Sequence, residues 1–329
     1  MDQNCALPKG DVFVVKSVFV LGFNPVIRRM RLKTVFLFYI SILTFFSGLS
    51  CTGKKEESSG HDLPQRIITC APSITESVFA VGAGERVCGV TRFCKYPERV
   101  EDLPDIGGYV DPDYESIVSL EPDFAVLLEE QEKLKAFLEK QGVEYLETDN
   151  SSLEDIIGSI REISRACGRA ESGDSIAEAI QSEIVKAGMG FDKARPSVLI
   201  CVQRDGVGSG RIRRVYGAGA NTFYTDLIEA SGGRNVVEGN IKGEYPIFSA
   251  EGIISLNPDI IIDITSSMGR EEMQAAKSDW EALSSVEAVK RGRIYSAVDH
   301  YITIPGPRIL LTLRKFKSII STLQKEDGS

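Results

Sequence analysis

Histidine and tryptophan are scarce in this chain of 329 residues, which has two of the first and one of the second. With only His61 and His300 available, a three-histidine zinc or manganese site cannot be assembled, and no metal site is expected. No Cys-x-x-Cys pair occurs. Apart from Cys5 and Cys51 near the front, Cys70, Cys88, Cys94, Cys167 and Cys201 are odd in number. Buried thiols are the expectation, with Cys88 and Cys94 the pair that an oxidising compartment would join. Nucleotide and hydrolase motifs are missing too. Gly82-Ala83-Gly84 and Gly217-Ala218-Gly219 start a dinucleotide fingerprint, but Val87 and Thr222 stand where its third glycine belongs. There is neither a P-loop nor a Gly-x-Ser-x-Gly elbow. An enzyme or redox carrier on an α/β scaffold is the competing class, and a ligand returned unchanged after incubation separates a binding protein from it.

The chain also lacks a long apolar run and a basic surplus. Its net charge is −9 at pH 7, and six of its basic residues (Lys9, Lys16, Arg28, Arg29, Arg31, Lys33) lie at the front, so the body is more acidic still. Nucleic acid is therefore not an expected partner. The uncharged stretch Val35 to Leu49 is shorter than the roughly 20 residues that a membrane span needs. Preceded by Met30-Arg31-Leu32-Lys33, it has the layout of a secretory signal. Ser47-Gly48-Leu49-Ser50-Cys51 resembles a bacterial lipoprotein processing site with Cys51 as the lipidated residue, although Gly48 stands where leucine is usual. An uncleaved N-terminal anchor is the alternative, and either places the body outside the cytoplasm. A signal beginning at Met30 makes residues 1–29 upstream sequence. Thr52 to Asp62 is polar and reads as a flexible tether.

What is present is a repeat. Glu115-Ser116-Ile117-Val118-Ser119-Leu120-Glu121-Pro122-Asp123 returns as Glu251-Gly252-Ile253-Ile254-Ser255-Leu256-Asn257-Pro258-Asp259. Each copy precedes an apolar run, Phe124 to Leu128 and Ile260 to Ile262, and each has a tyrosine six residues before its glutamate, Tyr109 and Tyr245. A short helix ended by the proline and feeding a buried strand fits both copies. Glu115 and Glu251 then fall at helix starts, where a carboxylate favours the dipole. Either that is their whole role, or they form a matched pair of anionic points, one per lobe.

Strands and helices alternate from Arg66 onward. Arg66 to Cys70 and Arg86 to Val90 read as strands, and Ser73-Ile74-Thr75-Glu76 and Ser151-Ser152-Leu153-Glu154 as capping boxes. Leu153, Ile156, Ile157, Ile160 and Ile163 trace one helical stripe. Between the halves, Glu171 to Ala187 predicts a stiff helix of about 25 Å. The second half opens with a strand at Ser197 to Val202 and a glycine- and arginine-rich loop at Arg204 to Gly219. Asn221 caps a helix to about Ala230, Arg293 to Ala297 is a strand, and Pro307 to Leu323 is a final helix. The divisions are a leader at 1–50, an anchor and tether at 51–62, lobes at 63–168 and 191–329, and a connecting helix at 169–190.

Taken together, these residues resemble the substrate-binding proteins of ABC importers for cobalamin, ferric siderophores and haem. The resemblance covers roughly Gln65 to Leu323. It rests on Arg66-Ile67-Ile68-Thr69-Cys70-Ala71-Pro72-Ser73-Ile74-Thr75-Glu76, on Tyr96-Pro97, on both repeats, on Ser231-Gly232-Gly233-Arg234-Asn235-Val236 and on Pro307-Arg308-Ile309. It implies an α/β fold of two doubly wound lobes bridged by a single long helix, the class III periplasmic-binding-protein architecture, with small closure around ligand. It also implies binding without catalysis, a monomer, and no cofactor beyond a bound metal chelate. Ferric siderophore and cobalamin lead as ligands, and haem follows.

By the same resemblance, Glu115 and Glu251 dock into arginine pockets of a dimeric ABC permease. Phe93, Tyr109, Tyr216, Tyr245, His300 and Tyr301 correspond to aromatic cleft residues, with His300 a candidate ligand for haem iron or cobalt. Arg92 and the run Arg211, Arg213, Arg214 would add charge for an anionic ligand, unless they simply face solvent.

Overall fold

The computed structural model describes residues 63–189, 195–237, 239–265 and 269–326. The leader, Cys51 and the tether lie outside the described residues. In the first lobe β1 (Ile67–Thr69) is followed by α1 (Pro72–Ala80), β2 (Val87–Val90), α2 (Tyr114–Ser119) and β3 (Phe124–Leu128). Then come α3 (Glu132–Gln141), β4 (Glu144–Thr148) and α4 (Leu153–Ala166). The strands form one parallel sheet in the order β2-β1-β3-β4. Strands in the middle of such a sheet are covered on both faces, which is why Ile67, Ile68 and the run Ala125-Val126-Leu127 are fully buried.

After the linking helix α5 (Ala170–Ala187), the second lobe runs through β5 (Ser197–Arg204), β6 (Val215–Gly217), α6 (Phe223–Ala230), β7 (Arg234–Asn235) and β8 (Ile247–Phe248). It continues with α7 (Ala250–Leu256), β9 (Ile260–Ile264), α8 (Arg270–Asp279), α9 (Glu287–Lys290), β10 (Ile294–Ala297) and α10 (Ile309–Glu326). Its sheet has the order β10-β9-β5-β6-β8, with β7 alongside β5. The β10-β9-β5 core is parallel, but β6 and β8 are antiparallel. That edge differs from the sequence reading, which took Arg204 to Gly219 as loop. Asp205 N donates to Arg214 O at 3.0 Å, closing a hairpin that returns Val215 to Gly217 to the sheet.

The linking helix does not stand alone. A Cβ on Gly173 would sit 2.0 Å from Ser164 Oγ, so glycine is what lets α4 and α5 pack backbone against backbone. One apolar cluster continues from Ile67 in β1 through Ile160 in α4, Ile180 in α5 and Phe316 in α10 to Val198 in β5. The two lobes therefore share a core. Val185, near the end of α5, is exposed.

The repeat acquires a physical account. Glu121 and Asn257, the residues before its prolines, both have φ of 45°, and this left-handed step stops α2 and α7 before the proline is reached. The Asp123 carboxylate then accepts the backbone N–H groups of Gln65 and Arg66 at 2.8 and 2.9 Å. Asp259 accepts Ser197 N and Oγ at 2.8 and 2.7 Å. Each repeat thus clamps the entry of its lobe's first strand. Capping is less regular than the sequence reading. Ser73 and Glu76 form no capping box, since α1 starts on Pro72 with no side-chain cap. The second box forms one residue later than expected, between Ser152 and Asp155, and the position before α6 is Thr222 rather than Asn221, with no side-chain cap. Cys88 and Cys94 are free thiols. Cys94 Sγ lies 3.1 Å from Thr75 Oγ1 and 3.2 Å from Thr91 Oγ1.

Candidate functional site

A cleft of about 450 Å³ lies where the two lobes face each other. The first lobe contributes the segments that leave its strands: Ala71 to Ser73 after β1, Phe93 after β2, Glu130 after β3, and Asn150 and Ser151 after β4, with Tyr109 from the loop before α2. From the second lobe come Val202, Asn221 to Tyr224, Glu244, Tyr245 and Thr303 to Pro305. Ligand crevices in α/β sheets form at such strand ends.

Three aromatic side chains are left open to this space: Phe93 at 53% exposure, Tyr109 at 37% and Tyr245 at 41%. Large apolar rings kept out of a core that has room for Trp280 and Phe316 mark a surface that something else covers. Their loops are held firmly. Gln131, itself buried, donates from Nε2 to the Tyr109 carbonyl at 3.2 Å while its Oε1 accepts Leu128 N at 3.0 Å. On the other side, Gly217 N and Gly219 N donate to the carbonyls of Pro246 and Glu244 at 3.0 and 2.7 Å, bracketing Tyr245. A Cβ on Gly219 would lie 2.4 Å from Gly243 O, so this approach requires glycine.

No lysine, arginine or histidine is among the described residues that line the cleft, whereas Glu130 and Glu244 supply one carboxylate from each lobe. The effect shows in the tyrosines. Burial pushes the Tyr109 phenol up, and so do the charge and hydrogen bond of Glu130 and the charge of Glu244. Tyr245 is pushed up to about 12 by burial, then by Glu244 and Glu130. Each tyrosine feels the carboxylate of the opposite lobe, so the four groups cluster across the cleft. Both phenols remain protonated donors at neutral pH.

Of the ten residues that the sequence offers for the cleft, Phe93, Tyr109 and Tyr245 line it and the other seven, Arg211 and Arg213 among them, do not. The Arg92 guanidinium pairs with Asp111 at 3.2 Å, and that of Arg214 with Asp205 at 2.6 Å. Tyr216 is fixed in β6 opposite Ile247. His300 and Tyr301 form a 3-10 turn beside Arg308, whose guanidinium lies 5.9 Å from the Tyr301 ring. The reading missed Glu130 and Glu244, which look like ordinary surface residues in isolation. Their positions carried a signal, since Glu130 follows the repeat's apolar run at a strand end and Glu244 adjoins Tyr245. Glu115 and Glu251 are exposed in the first turns of α2 and α7. The Asp113 side chain caps α2 and that of Ser249 caps α7. Neither glutamate is buried in an internal contact.

Residues 67–301 match the periplasmic binding protein family. The chain is 27% identical over 256 residues to the ABC transporter substrate-binding lipoprotein YvrC of Bacillus subtilis, covering 75% of this chain and 77% of that one. It is 24% identical to a vitamin B12-binding protein of Vibrio parahaemolyticus over 81% of this chain and 90% of the relative. Among solved structures, the periplasmic haem-binding protein RhuT of Roseiflexus sp. RS-1 superposes with a TM-score of 0.67 at 27% identity, covering 78% of this chain and 97% of that one. The vitamin B12-binding protein BtuF of Vibrio cholerae gives 0.68 at 18% identity over 80% and 99%, a likeness of fold alone. Two α/β lobes on one linking helix, an interlobe cleft and a match over most of its length place the chain in the periplasmic binding protein family, as an ABC-importer substrate-binding protein and not an enzyme.

Proposed function

We propose that this protein is an extracytoplasmic, lipid-anchored carrier that takes a bulky metal chelate into its interlobe cleft and passes it to an ABC permease. The observation that carries the reading is the open aromatic wall of Phe93, Tyr109 and Tyr245, contributed by both lobes to one cavity. Rings of this kind offer large, stiff apolar contact at small entropic cost, which suits the face of a corrin, a porphyrin or a wrapped ferric complex. The shared core and the bound loops favour a cleft already shaped before the ligand arrives. Relatives named for vitamin B12 and haem support the same range of ligands.

Glu115 and Glu251 are the proposed contacts with the permease, because the repeat sets one exposed carboxylate on each lobe in the same local frame. Cys51 is the proposed lipid attachment. Palmitate labelling that disappears in Cys51→Ala supports the anchor, and retained label overturns it. The central test is a titration of the purified full-length chain in detergent with cyanocobalamin, haemin and a ferric hydroxamate complex, followed by intrinsic fluorescence. Saturable quenching by at least one, with the chelate recovered unchanged, is the expected result. Failure of all three to bind would overturn the reading.

A further inference from the structure

We infer that Glu130 and Glu244 are specificity-determining residues, which make this cleft select a chelate rimmed by amide N–H groups, a corrinoid, over one rimmed by carboxylates, a porphyrin. The inference rests on the ligand-binding reading above and adds to it which chemistry is admitted.

The argument is one of donors and acceptors. A flat chelate lying on Phe93, Tyr109 and Tyr245 brings its rim to the residues beside those rings. Glu244 adjoins Tyr245 in the chain, and Glu130 lines the cleft close enough to the Tyr109 phenol to push it up. An ionised carboxylate only accepts hydrogen bonds. Primary amides on a corrin rim supply the N–H donors that it needs, and such charge-assisted bonds are stronger than neutral ones. The propionates of haem supply no donor and bring like charge instead. Nothing on the lining offsets that repulsion, since it has no cationic side chain among the described residues. Of the four arginines that the sequence placed here, none is in the lining, and Arg92 and Arg214 are engaged by Asp111 and Asp205.

Ligation of haem iron is disfavoured as well. His300 is outside the cleft lining, and the Tyr224 hydroxyl is buried and donates to the Ile302 carbonyl. Burial with the two carboxylates raises the Tyr109 and Tyr245 phenols, which opposes loss of the proton that iron would displace. Two acceptors on opposite lobes also let one ligand bridge the lobes through its rim while its face rests on the rings. Ser73, Asn150 and Asn221 add neutral polar groups to the same lining.

The test compares the Kd of dicyanocobinamide, haemin and a ferric hydroxamate for the full-length wild type and for the Glu130→Gln/Glu244→Gln double variant. Both substitutions are isosteric and at exposed positions, and an unchanged melting temperature shows that the fold is retained. In the wild type, cobinamide should bind about 100-fold tighter than haemin, as expected where like charges are set against each other. In the double variant, haemin should gain and cobinamide should lose about tenfold, so that the preference collapses. Haemin within tenfold of cobinamide in the wild type, or an unchanged ratio in the variant, overturns the inference. Binding of the hydroxamate alone would overturn it while leaving the carrier reading intact. Binding of no chelate would instead remove the reading on which it rests.

Discussion

Glu76 and Arg308, 232 positions apart, meet in a two-pronged ion pair that ties one lobe to the other. Arg308 Nε donates to Glu76 Oε2 at 2.8 Å and Nη2 to Oε1 at 2.5 Å. The guanidinium also lies 4.1 Å over the Tyr96 ring. Glu76 belongs to α1 and is 3% exposed. Burial pushes its carboxyl up, opposed by the hydrogen bond and charge of Arg308 and by His300. Nearby, a Cβ on Gly306 would sit 3.2 Å from Ser73 O, and Ser73 and Pro305 both line the cleft. The lobes are thus joined directly beside the cavity as well as through α5.

Removing one partner of this pair should be costly. Glu76→Gln leaves Arg308 with half of its buried pairing, and breaking a buried ion pair costs about 3–5 kcal/mol. The low end, about 3 kcal/mol, applies here because the Arg308 side chain keeps 19% exposure. Replacing both residues, as in Glu76→Met/Arg308→Met, should restore most of the loss, since no uncompensated charge is then buried. Urea unfolding of the three proteins measures this, and an unchanged midpoint for Glu76→Gln would show that the pair contributes nothing.

Glu121 offers the opposite case, a position where a change should stabilise. It adopts φ of 45°, as Asn257 does in the other repeat. The left-handed region costs an ordinary residue about 1 kcal/mol, and asparagine tolerates it better. Because Glu121 is exposed and Arg66 contacts its backbone carbonyl, Glu121→Asn should raise stability by about 0.5–1 kcal/mol. The gain should appear as a higher melting temperature.

These two glutamates show where sequence reading worked and where it stopped. The α4 stripe and the two helix-to-strand repeats were legible because their periodicity is local, and Leu153, Ile156, Ile157, Ile160 and Ile163 are all buried as the spacing required. Glu76 sits at capping-box spacing from Ser73, so it read as a local cap. Its partner, Arg308, lies at the other end of the chain, and tertiary pairing overrides the local motif. Arg92 and Arg214 read as cleft charges because nothing in their own segments shows that Asp111 and Asp205 engage them. Strand β6 was invisible since three residues, the last of them a glycine, carry no period. Phe93, Tyr109 and Tyr245 could be located because the repeat and Tyr96-Pro97 fix their distance from recognisable points.

The proposed permease contacts make a prediction that separates docking from ligand capture. Glu115→Lys/Glu251→Lys replaces both exposed carboxylates with cations, and like charges set against a basic partner cost several kcal/mol. Uptake by cells carrying the double variant should be abolished. Chelate affinity of the purified protein should stay within about twofold, because neither residue is among those lining the cleft. Each single reversal should leave partial uptake, since one contact remains. Normal import by the double variant would refute the assignment.

Acid should loosen the second lobe at an identifiable place. Arg204, whose side chain is 2% exposed, donates from Nε to Asp263 Oδ2 at 3.2 Å and from Nη1 to Asp279 Oδ2 at 2.8 Å. Asp279 also accepts Gly208 N at 2.8 Å and Gly210 N at 2.6 Å, which fixes the turn between β5 and β6. Burial alone would raise the Asp279 carboxyl, but the bonds from Arg204 and the two amides hold it below the usual carboxylate range. A carboxyl with a depressed value in the folded state binds protons less readily there than in the unfolded chain. Its stabilising contribution is therefore complete above the ordinary aspartate value near pH 4 and is lost as pH falls through the depressed folded value. Asp279→Asn removes that titration and leaves Arg204 with a single carboxylate, at a cost of about 3 kcal/mol at pH 7. Urea melts of both proteins at pH 7 and pH 3 should show the gap between them narrowing in acid, because protonation takes from the wild type what the substitution has already removed. A gap of the same size at both values would mean that Asp279 does not titrate in this window and that another carboxylate controls acid unfolding.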